Sequence, residues 1–160
     1  MKLYYFTKAE FERNGRNWMR YMDKRLLVLL DTFRHQWERP VFISPHELAI
    51  GRPGWPNPNS DHFWSEPDGV VRAVDVIPTG MDSRLAAEYA IRIAEDVGFT
   101  SLGLYPHWRP SPGLHLGTRV SNWPGKPATW GATRLGPDGK PDPTAKQVYC
   151  SLEKAMEFMP

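Results

Sequence analysis

Apolar residues recur at helical spacing in several stretches of the chain. Thr7 and Glu10 form a capping-box pattern, which predicts a short helix beginning at Lys8. A longer helix is predicted over roughly residues 17–37, and Pro40 stops it. The apolar stripe of this long helix consists of Met19, Met22, Leu26, Leu29, Leu30, Phe33 and Trp37.

A third helix is predicted over about residues 84–97. Asp82 or Ser83 can cap its first turn, and Gly98 ends it. The residues that should face the core are Ala86, Tyr89, Ala90, Ile93 and Val97.

A last helix is predicted over roughly residues 143–158. Asp142 is its cap and Pro143 its first residue, which is a favourable position for proline. Its apolar stripe consists of Val148, Leu152, Met156 and Met159.

Short apolar segments between these helices are typical of strands. They cover residues 41–43, 70–77, 99–105 and 113–119. A long irregular segment rich in proline and glycine, residues 45–69, separates the first two. The length of 160 residues and the order of elements predict a single domain over residues 1–160. We expect an α+β fold with a small, mostly antiparallel sheet packed by helices.

Charge and composition exclude several classes of protein. Lys and Arg number 20 and Asp and Glu 18, so the net charge of +2 gives no support to a DNA-binding domain or any other nucleic-acid partner. The lone Cys150 excludes an intrachain disulfide framework. No apolar run approaches the ~20 residues of a membrane span. The apolar stretch within the first eight residues is short, so we expect no signal peptide there.

Asp75 is an anomaly inside an otherwise apolar strand. Its neighbours are apolar on both faces of the predicted strand, because side chains alternate between faces. A carboxylate there must be paired or bound to a cation, since burying it bare would cost several kcal/mol. An ion pair with Arg72 or Arg119, or a hydrogen bond to a loop amide, is the ordinary explanation, and a bound metal ion is the alternative.

His115 is a second anomaly. It shares its strand face with Gly113, Gly117 and Arg119, so we expect the imidazole to project into an open cleft. The ordinary alternative is a sheet histidine with satisfied hydrogen bonds. His62, in the loop before the Asp75 strand, is unremarkable when taken alone.

Two imidazoles and one carboxylate form a ligand set for a catalytic zinc ion, with a fourth position left to water. Asp75 follows His62 by 13 residues, and His115 follows Asp75 by 40, so no local motif imposes the set. The competing histidines are His35, His46 and His107.

Several short signals occur in one order along residues 25–131. They are Ser60-x-His62, Ala73-x-Asp75, Gly98-Phe99, Gly103-x-Tyr105, His115 and a closing Trp130-Gly131. In this order they resemble the zinc D-Ala-D-Ala carboxypeptidase family, which includes peptidoglycan peptidases, phage endolysins and vancomycin-resistance D,D-dipeptidases. The chain looks most similar to phage-encoded members. The resemblance implies a hedgehog/DD-peptidase-like fold, with His62, Asp75 and His115 as ligands of Zn²⁺.

The chain departs from the family pattern at the residues that move protons. Gly117 stands where the family's late His-x-Asp motif has its Asp, and Pro112 stands where the Glu-x-x-His motif has its Glu. The spacing from His62 to Asp75 is also longer than in the family. A zinc peptidase needs a carboxylate or imidazole to take up and deliver a proton. The substitutes from nearby loops are Glu66 and Asp68, followed by Asp61 and His107.

Other residues are candidates for binding substrate. Arg52 lies where the family often has an arginine, and it could hold a carboxylate or steady an oxyanion. Ser60 could position water or bond to His62. Tyr105 and Trp108, together with Trp64 and Trp123, could line a cleft for a glycan or peptide stem. The alternatives are a solvated arginine and aromatic rings that only anchor loops.

The resemblance implies a zinc-dependent peptidoglycan peptidase, of the D,D- or L,D-carboxypeptidase or endopeptidase type, with a peptidoglycan stem peptide as its partner. The alternative is a catalytically degenerate structural or binding module of a phage virion on the same fold, which would contact other virion proteins. Either reading places the protein in the host cytoplasm or in the virion.

Overall fold

The computed structural model of the chain describes residues 2–13, 15–53, 60–64, 69–118 and 128–160, without the side chains of residues 52, 53, 63 and 64. The helices are α1 (Lys24–Trp37), α2 (Arg84–Val97) and α3 (Leu152–Met156), with 3-10 helices at Lys8–Phe11 and Trp18–Tyr21. The strands are β1 (Glu12–Arg13), β2 (Arg16–Asn17), β3 (Val41–Ile43), β4 (Arg52–Pro53), β5 (Phe63–Trp64), β6 (Ala73–Pro78), β7 (Ser101–Tyr105), β8 (Gly113–Gly117), β9 (Ala128–Thr133) and β10 (Val148–Cys150). Across these ranges, none of the helices combines the length and the apolar character that crossing a membrane requires.

Six strands form the main sheet, in the order β10-β9-β7-β8-β6-β3. β9 pairs with β7 and not with β8, the strand that precedes it in the chain, and it runs parallel to β7. The sheet is therefore mixed. The predicted α+β class is confirmed. The predicted sheet is corrected in one respect: four of its five strand pairings are antiparallel, and the parallel pairing of β7 with β9 was not predicted. The pairs β1·β2 and β4·β5 form two small separate sheets.

The predicted long helix is divided into two pieces. The capping box of Thr7 and Glu10 is present at the first 3-10 helix, as predicted. The side chain of Asp23 accepts a hydrogen bond from Arg25 N at 2.8 Å and starts α1 there. The backbone just before it bonds to Val71 instead, through Tyr21 O and Asp23 N. A helix through this segment would lose both bonds to Val71, so residues 22 and 23 are extended.

α2 has the predicted bounds, but its buried face is rotated by about one residue. Ser83 caps it through Ala86 N, and Gly98 ends it in the left-handed conformation, with φ of 106°. Tyr89, predicted to face inward, is 53% exposed. The residues that it does bury are Ala87, Ala90, Ile91, Ile93 and Ala94.

The helix predicted over residues 143–158 is wrong in its first half. Val148–Cys150 forms the edge strand β10 against β9, and the short α3 begins after it, capped by Ser151. Asp142 caps a turn, accepting hydrogen bonds from Thr144 N at 2.8 Å and Thr144 Oγ1 at 2.6 Å. A β-branched and an aromatic residue in succession favour the strand.

The main sheet has one apolar face and one face that carries polar residues. The apolar face contributes Val74, Val76, Leu102, Leu104, Leu114 and Leu116 to the core cluster that also contains the buried residues of α1 and α2. Side chains alternate along a strand, so Asp75 and His115 lie on the opposite face. That face positions the candidate site.

Candidate metal centre

The strand register brings two of the three predicted ligands together. Asp75 on β6 is directly opposite His115 on β8, and Gly103 on β7 is opposite His115 from the other side. Directly opposed residues of an antiparallel pair have side chains about 5 Å apart at Cβ, on the same face. The 40 residues between Asp75 and His115 in sequence therefore do not separate them in space.

The third predicted ligand, His62, lies in a turn. Ser60 Oγ accepts a hydrogen bond from His62 N at 3.3 Å, which shapes the turn. Asp61 O accepts a hydrogen bond from Arg72 N at 3.2 Å, which ties the turn to the chain just before β6. His62 is thereby placed beside Asp75 although it belongs to no strand of the main sheet.

The three predicted ligands converge on one another. His62 Nε2 lies 3.0 Å from His115 Nδ1, His62 Nε2 lies 3.2 Å from Asp75 Oδ1, and His115 Nδ1 lies 3.1 Å from the same oxygen. All three residues are buried, with exposures of 4%, 7% and 4% for His62, Asp75 and His115. These three residues, the three-ligand cluster, could hold a metal ion. Among the described residues, no other group of three or more His, Cys, Asp or Glu side chains converges in this way.

The distances fit a metal site. Two ligands bound at ~2.1 Å in tetrahedral geometry lie about 3.4 Å apart, close to the separations seen here. Each atom of the cluster can present a lone pair. One proton can lie between only one pair of these atoms, so ordinary hydrogen bonding cannot satisfy all three contacts at once. The donor set of two imidazoles and one carboxylate suits a divalent transition metal.

Charge within the cluster is strongly coupled. Burial would raise the pKa of Asp75, but the charges and hydrogen-bonding atoms of His62 and His115 hold it well below its usual range. Burial would lower the pKa of His115, but contacts with Asp61 and Asp75 outweigh it and raise that pKa. Without a metal, the cluster therefore favours a carboxylate beside a protonated imidazole, and a metal ion would compete with that proton.

Among the described residues, Asp75 does not form the ion pair with Arg72 that the sequence offers as one explanation. Its side-chain partners in the described part of the chain are His62 and His115, while Arg72 contacts the Asp61 carbonyl through its backbone. Arg119, the other arginine considered for this pairing, lies outside the described residues.

The competing histidines lie in other environments. His35 is exposed and its Nδ1 is 2.7 Å from Tyr5 Oη. His46 is exposed, and its Nδ1 accepts a hydrogen bond from Leu48 N within its own turn. His107 is buried, and its Nδ1 accepts a hydrogen bond from Arg134 N at 2.8 Å. None of the three belongs to the three-ligand cluster.

The open cleft expected around His115 is filled by other side chains. A Cβ at Gly103 would lie 2.7 Å from the Trp130 ring, and one at Gly113 would collide with Trp108. The Trp130 ring centroid lies 4.9 Å from that of His115. The glycines thus make room for tryptophans packed on the sheet and not for empty space, which corrects the prediction.

Tyr105, Trp108 and Trp130 form a continuous aromatic wall beside His115. Tyr105 and Trp108 stack with centroids 4.1 Å apart and planes 10° apart. Trp130 Nε1 donates a hydrogen bond to Tyr105 Oη at 3.4 Å. Tyr105 is buried, whereas Trp108 and Trp130 are half-buried and can contact a ligand.

The remaining predicted site residues divide into two groups. Ser60 lies beside the cluster and bonds to the His62 backbone, one of the roles predicted for it. The side chain of Arg52 and the whole of Glu66 and Asp68 lie outside the described residues. The same is true of the Trp64 side chain and of Trp123.

Part of the site is not predicted from the sequence. Trp130 belongs to the closing Trp130-Gly131 signal, which does not indicate that its ring packs beside His115. Ser101 Oγ donates a hydrogen bond to Asp61 Oδ2 at 2.5 Å, and no sequence pattern singles this serine out. The sequence offers Asp61 only as a substitute proton carrier, but its carboxylate faces His115 Nε2 at 3.6 Å. The glycines opposite bulky residues were the one available signal, because they mark close packing on that face.

Comparison with known proteins adds no relative to this picture. No protein-family model matches the chain, and no curated protein and no solved structure matches it either.

Proposed function

We propose that this chain is a zinc-dependent peptidase-like domain of phage origin that acts on peptidoglycan stem peptides. The observation that carries the proposal is the convergence of His62, Asp75 and His115, whose ligand atoms lie 3.0–3.2 Å from one another. The resemblance to zinc D-Ala-D-Ala carboxypeptidases names the same three residues as ligands, from sequence order alone.

The chain's own residues would build a rigid, buried metal site. Asp75 and His115 are fixed by the β6·β8 register, and His62 by its turn. When bound, zinc supplies a Lewis acid that polarises a carbonyl and lowers the pKa of a coordinated water towards ~7. The cluster supplies three protein ligands, which is the number that leaves a position open for chemistry.

The aromatic wall would contact the substrate. The half-buried ring of Trp130 lies next to His115, and the half-buried ring of Trp108 stacks on Tyr105. Both present flat apolar surfaces suited to stacking on a sugar ring or packing on a peptide stem. Buried Tyr105 would hold the two tryptophans in place. Arg52 remains the proposed carboxylate-binding residue, and Glu66 and Asp68 the proposed proton carriers, on the family resemblance.

Release of stem-peptide fragments or D-Ala from purified cell-wall sacculi tests this proposal. We expect release by the zinc-loaded protein, loss of release in a chelator, and recovery when zinc is restored. His115→Ala should be inactive, whereas His46→Ala, a matched change at an exposed histidine, should be as active as wild type. Release that survives both the chelator and His115→Ala would contradict the proposal.

One observation favours a second candidate, a degenerate binding module of a phage virion on the same scaffold. The space beside Gly117 is filled, since a Cβ there would lie 3.0 Å from Ser101 Cβ. The family's His-x-Asp motif would place a carboxylate at position 117, where the chain has glycine and where a side chain would be too close to Ser101. The Glu of the alternative Glu-x-x-His motif is replaced by Pro112. Zinc binding without any release from sacculi would favour this candidate over the peptidase.

A further inference from the structure

Asp61 contacts the side of the His115 ring that faces away from the three-ligand cluster. Asp61 Oδ2 lies 3.6 Å from His115 Nε2, while His115 Nδ1 faces Asp75 and His62. The two nitrogens of an imidazole point in divergent directions, so Asp61 cannot reach the atoms that bind a metal at Nδ1. The side chains of His115 and Asp61 are only 5% and 8% exposed.

The carboxylate of Asp61 is itself held in place. Ser101 on β7 donates a hydrogen bond from Oγ to Asp61 Oδ2 at 2.5 Å, and Ser101 is buried. Asp61 O accepts a hydrogen bond from Arg72 N. Two adjacent residues of one turn therefore face the two nitrogens of the His115 ring. His62 lies at Nδ1 and Asp61 lies at Nε2.

The absence of a side chain at position 117 permits this arrangement. Gly117 is opposite Ser101 in the β7·β8 pairing, and a Cβ at 117 would lie 3.2 Å from Ser101 Oγ. A larger residue would displace the hydroxyl that holds Asp61. Position 117 of the strand provides no carboxylate, but the carboxylate of Asp61, in the turn, lies beside the same histidine.

We propose that Asp61 is a positioning residue, whose carboxylate accepts the Nε2 proton of His115 and so fixes the tautomer in which Nδ1 can bind a metal ion. Carboxylates behind metal-binding histidines have this effect in general. The proposal rests on the proposed metal site. The separation of 3.6 Å is longer than a hydrogen bond. We therefore expect it to shorten to about 2.8 Å when Nδ1 binds a metal.

Zinc affinity of the full chain, measured by competition with a chromogenic chelator, tests the proposal. Asp61→Asn keeps the shape and removes the charge, and Asp61→Ala removes the acceptor. We expect both to bind zinc about 10-fold to 100-fold more weakly than wild type. Ser101→Ala should weaken binding in the same direction but less. Asp142→Asn, at an exposed carboxylate that caps a local turn, is the matched control and should bind like wild type.

A second readout separates positioning from loss of fold. NMR of the histidine ring N–H groups reports which nitrogen carries the proton and whether that proton is hydrogen-bonded. We expect zinc-loaded wild type to show a His115 Nε2–H proton that is shifted downfield and exchanges slowly with water, because Asp61 accepts its hydrogen bond. Asp61→Ala should lose that shift and exchange the proton faster even where thermal unfolding is unchanged.

The outcomes distinguish the two proposals. If wild type binds zinc, His115→Ala abolishes that binding, both Asp61 variants keep wild-type affinity and Asp61→Ala keeps the wild-type His115 Nε2–H signal, the role of Asp61 is overturned while the metal site stands. If wild type binds no zinc, both proposals are overturned.

Discussion

Asp75 and His115 are opposite residues of two neighbouring antiparallel strands, and Asp75 Oδ1 lies 3.1 Å from His115 Nδ1. Two of the three candidate ligands are thereby placed by backbone hydrogen bonds of the main sheet. The third, His62, depends on a turn held by Ser60 and Asp61. A site built mostly on strands is preorganised, so binding a metal requires little rearrangement.

The metal-free protein should lose stability at both ends of the pH range. The pKa of His115 is raised on folding, so its contribution is fully present below the unfolded value of ~6.5 and is lost as pH rises through the higher folded value. The pKa of Asp75 is lowered, so its contribution is present above ~3.9 and is lost as pH falls below that value. Urea unfolding in a chelator between pH 3 and 9 measures both effects.

His115→Gln is the control for the alkaline side of that profile. The variant cannot take up a ring proton, so its free energy of unfolding should change little between pH 6 and 9. If wild type and variant show the same slope there, His115 is not the group responsible.

Gly117→Asp should destabilise the protein and should not raise its activity above that of wild type. The new Cβ would lie 3.0 Å from Ser101 Cβ and 3.3 Å from the Arg72 carbonyl, and the carboxylate would be introduced near Asp61. Such overpacking costs about 1–3 kcal/mol. Thermal unfolding checks this, with Gly117→Ala expected to be less damaging. A stable Gly117→Asp protein that is more active than wild type would contradict the account.

Gly103→Val should displace Trp130 from the sheet and weaken metal binding. A Cβ at this position would lie 2.7 Å from the indole, which also packs against His115. We expect a loss of about 1–3 kcal/mol in stability and a lower zinc affinity by chelator competition. Gly136→Ala, where the nearest contact is the Asp138 carboxylate in a turn, should change neither. Normal zinc affinity in Gly103→Val would show that Trp130 does not support the site.

The sequence carried enough information to single out two of the three candidate ligands because each of these two violates its local pattern, whereas His62 in its loop does not. Asp75 interrupts an apolar strand, and His115 lies between glycines on its face. Helix α2 was predictable in its bounds since Ser83 and Gly98 act through local hydrogen bonds and backbone conformation. Its buried face was not, because tertiary packing leaves Tyr89 exposed.

Long-range pairing was the part that local patterns could not supply. The parallel pairing of β9 with β7 and the bonds from Val71 to the segment before α1 join residues far apart in the chain. The contact of Ser101 with Asp61 spans 40 residues. This contact depends on the pairing of β7 with β8, which places Ser101 opposite Gly117. Local sequence patterns do not show which strands pair.

The most direct test of the account is elemental analysis of zinc bound to the purified full chain after dialysis. We predict about one zinc ion per chain for wild type, the stoichiometry of a single three-ligand site. His62→Ala, Asp75→Asn and His115→Ala should each lose most of it while His46→Ala retains it. A wild-type protein without zinc, or zinc retained in all three ligand variants, would contradict the metal centre.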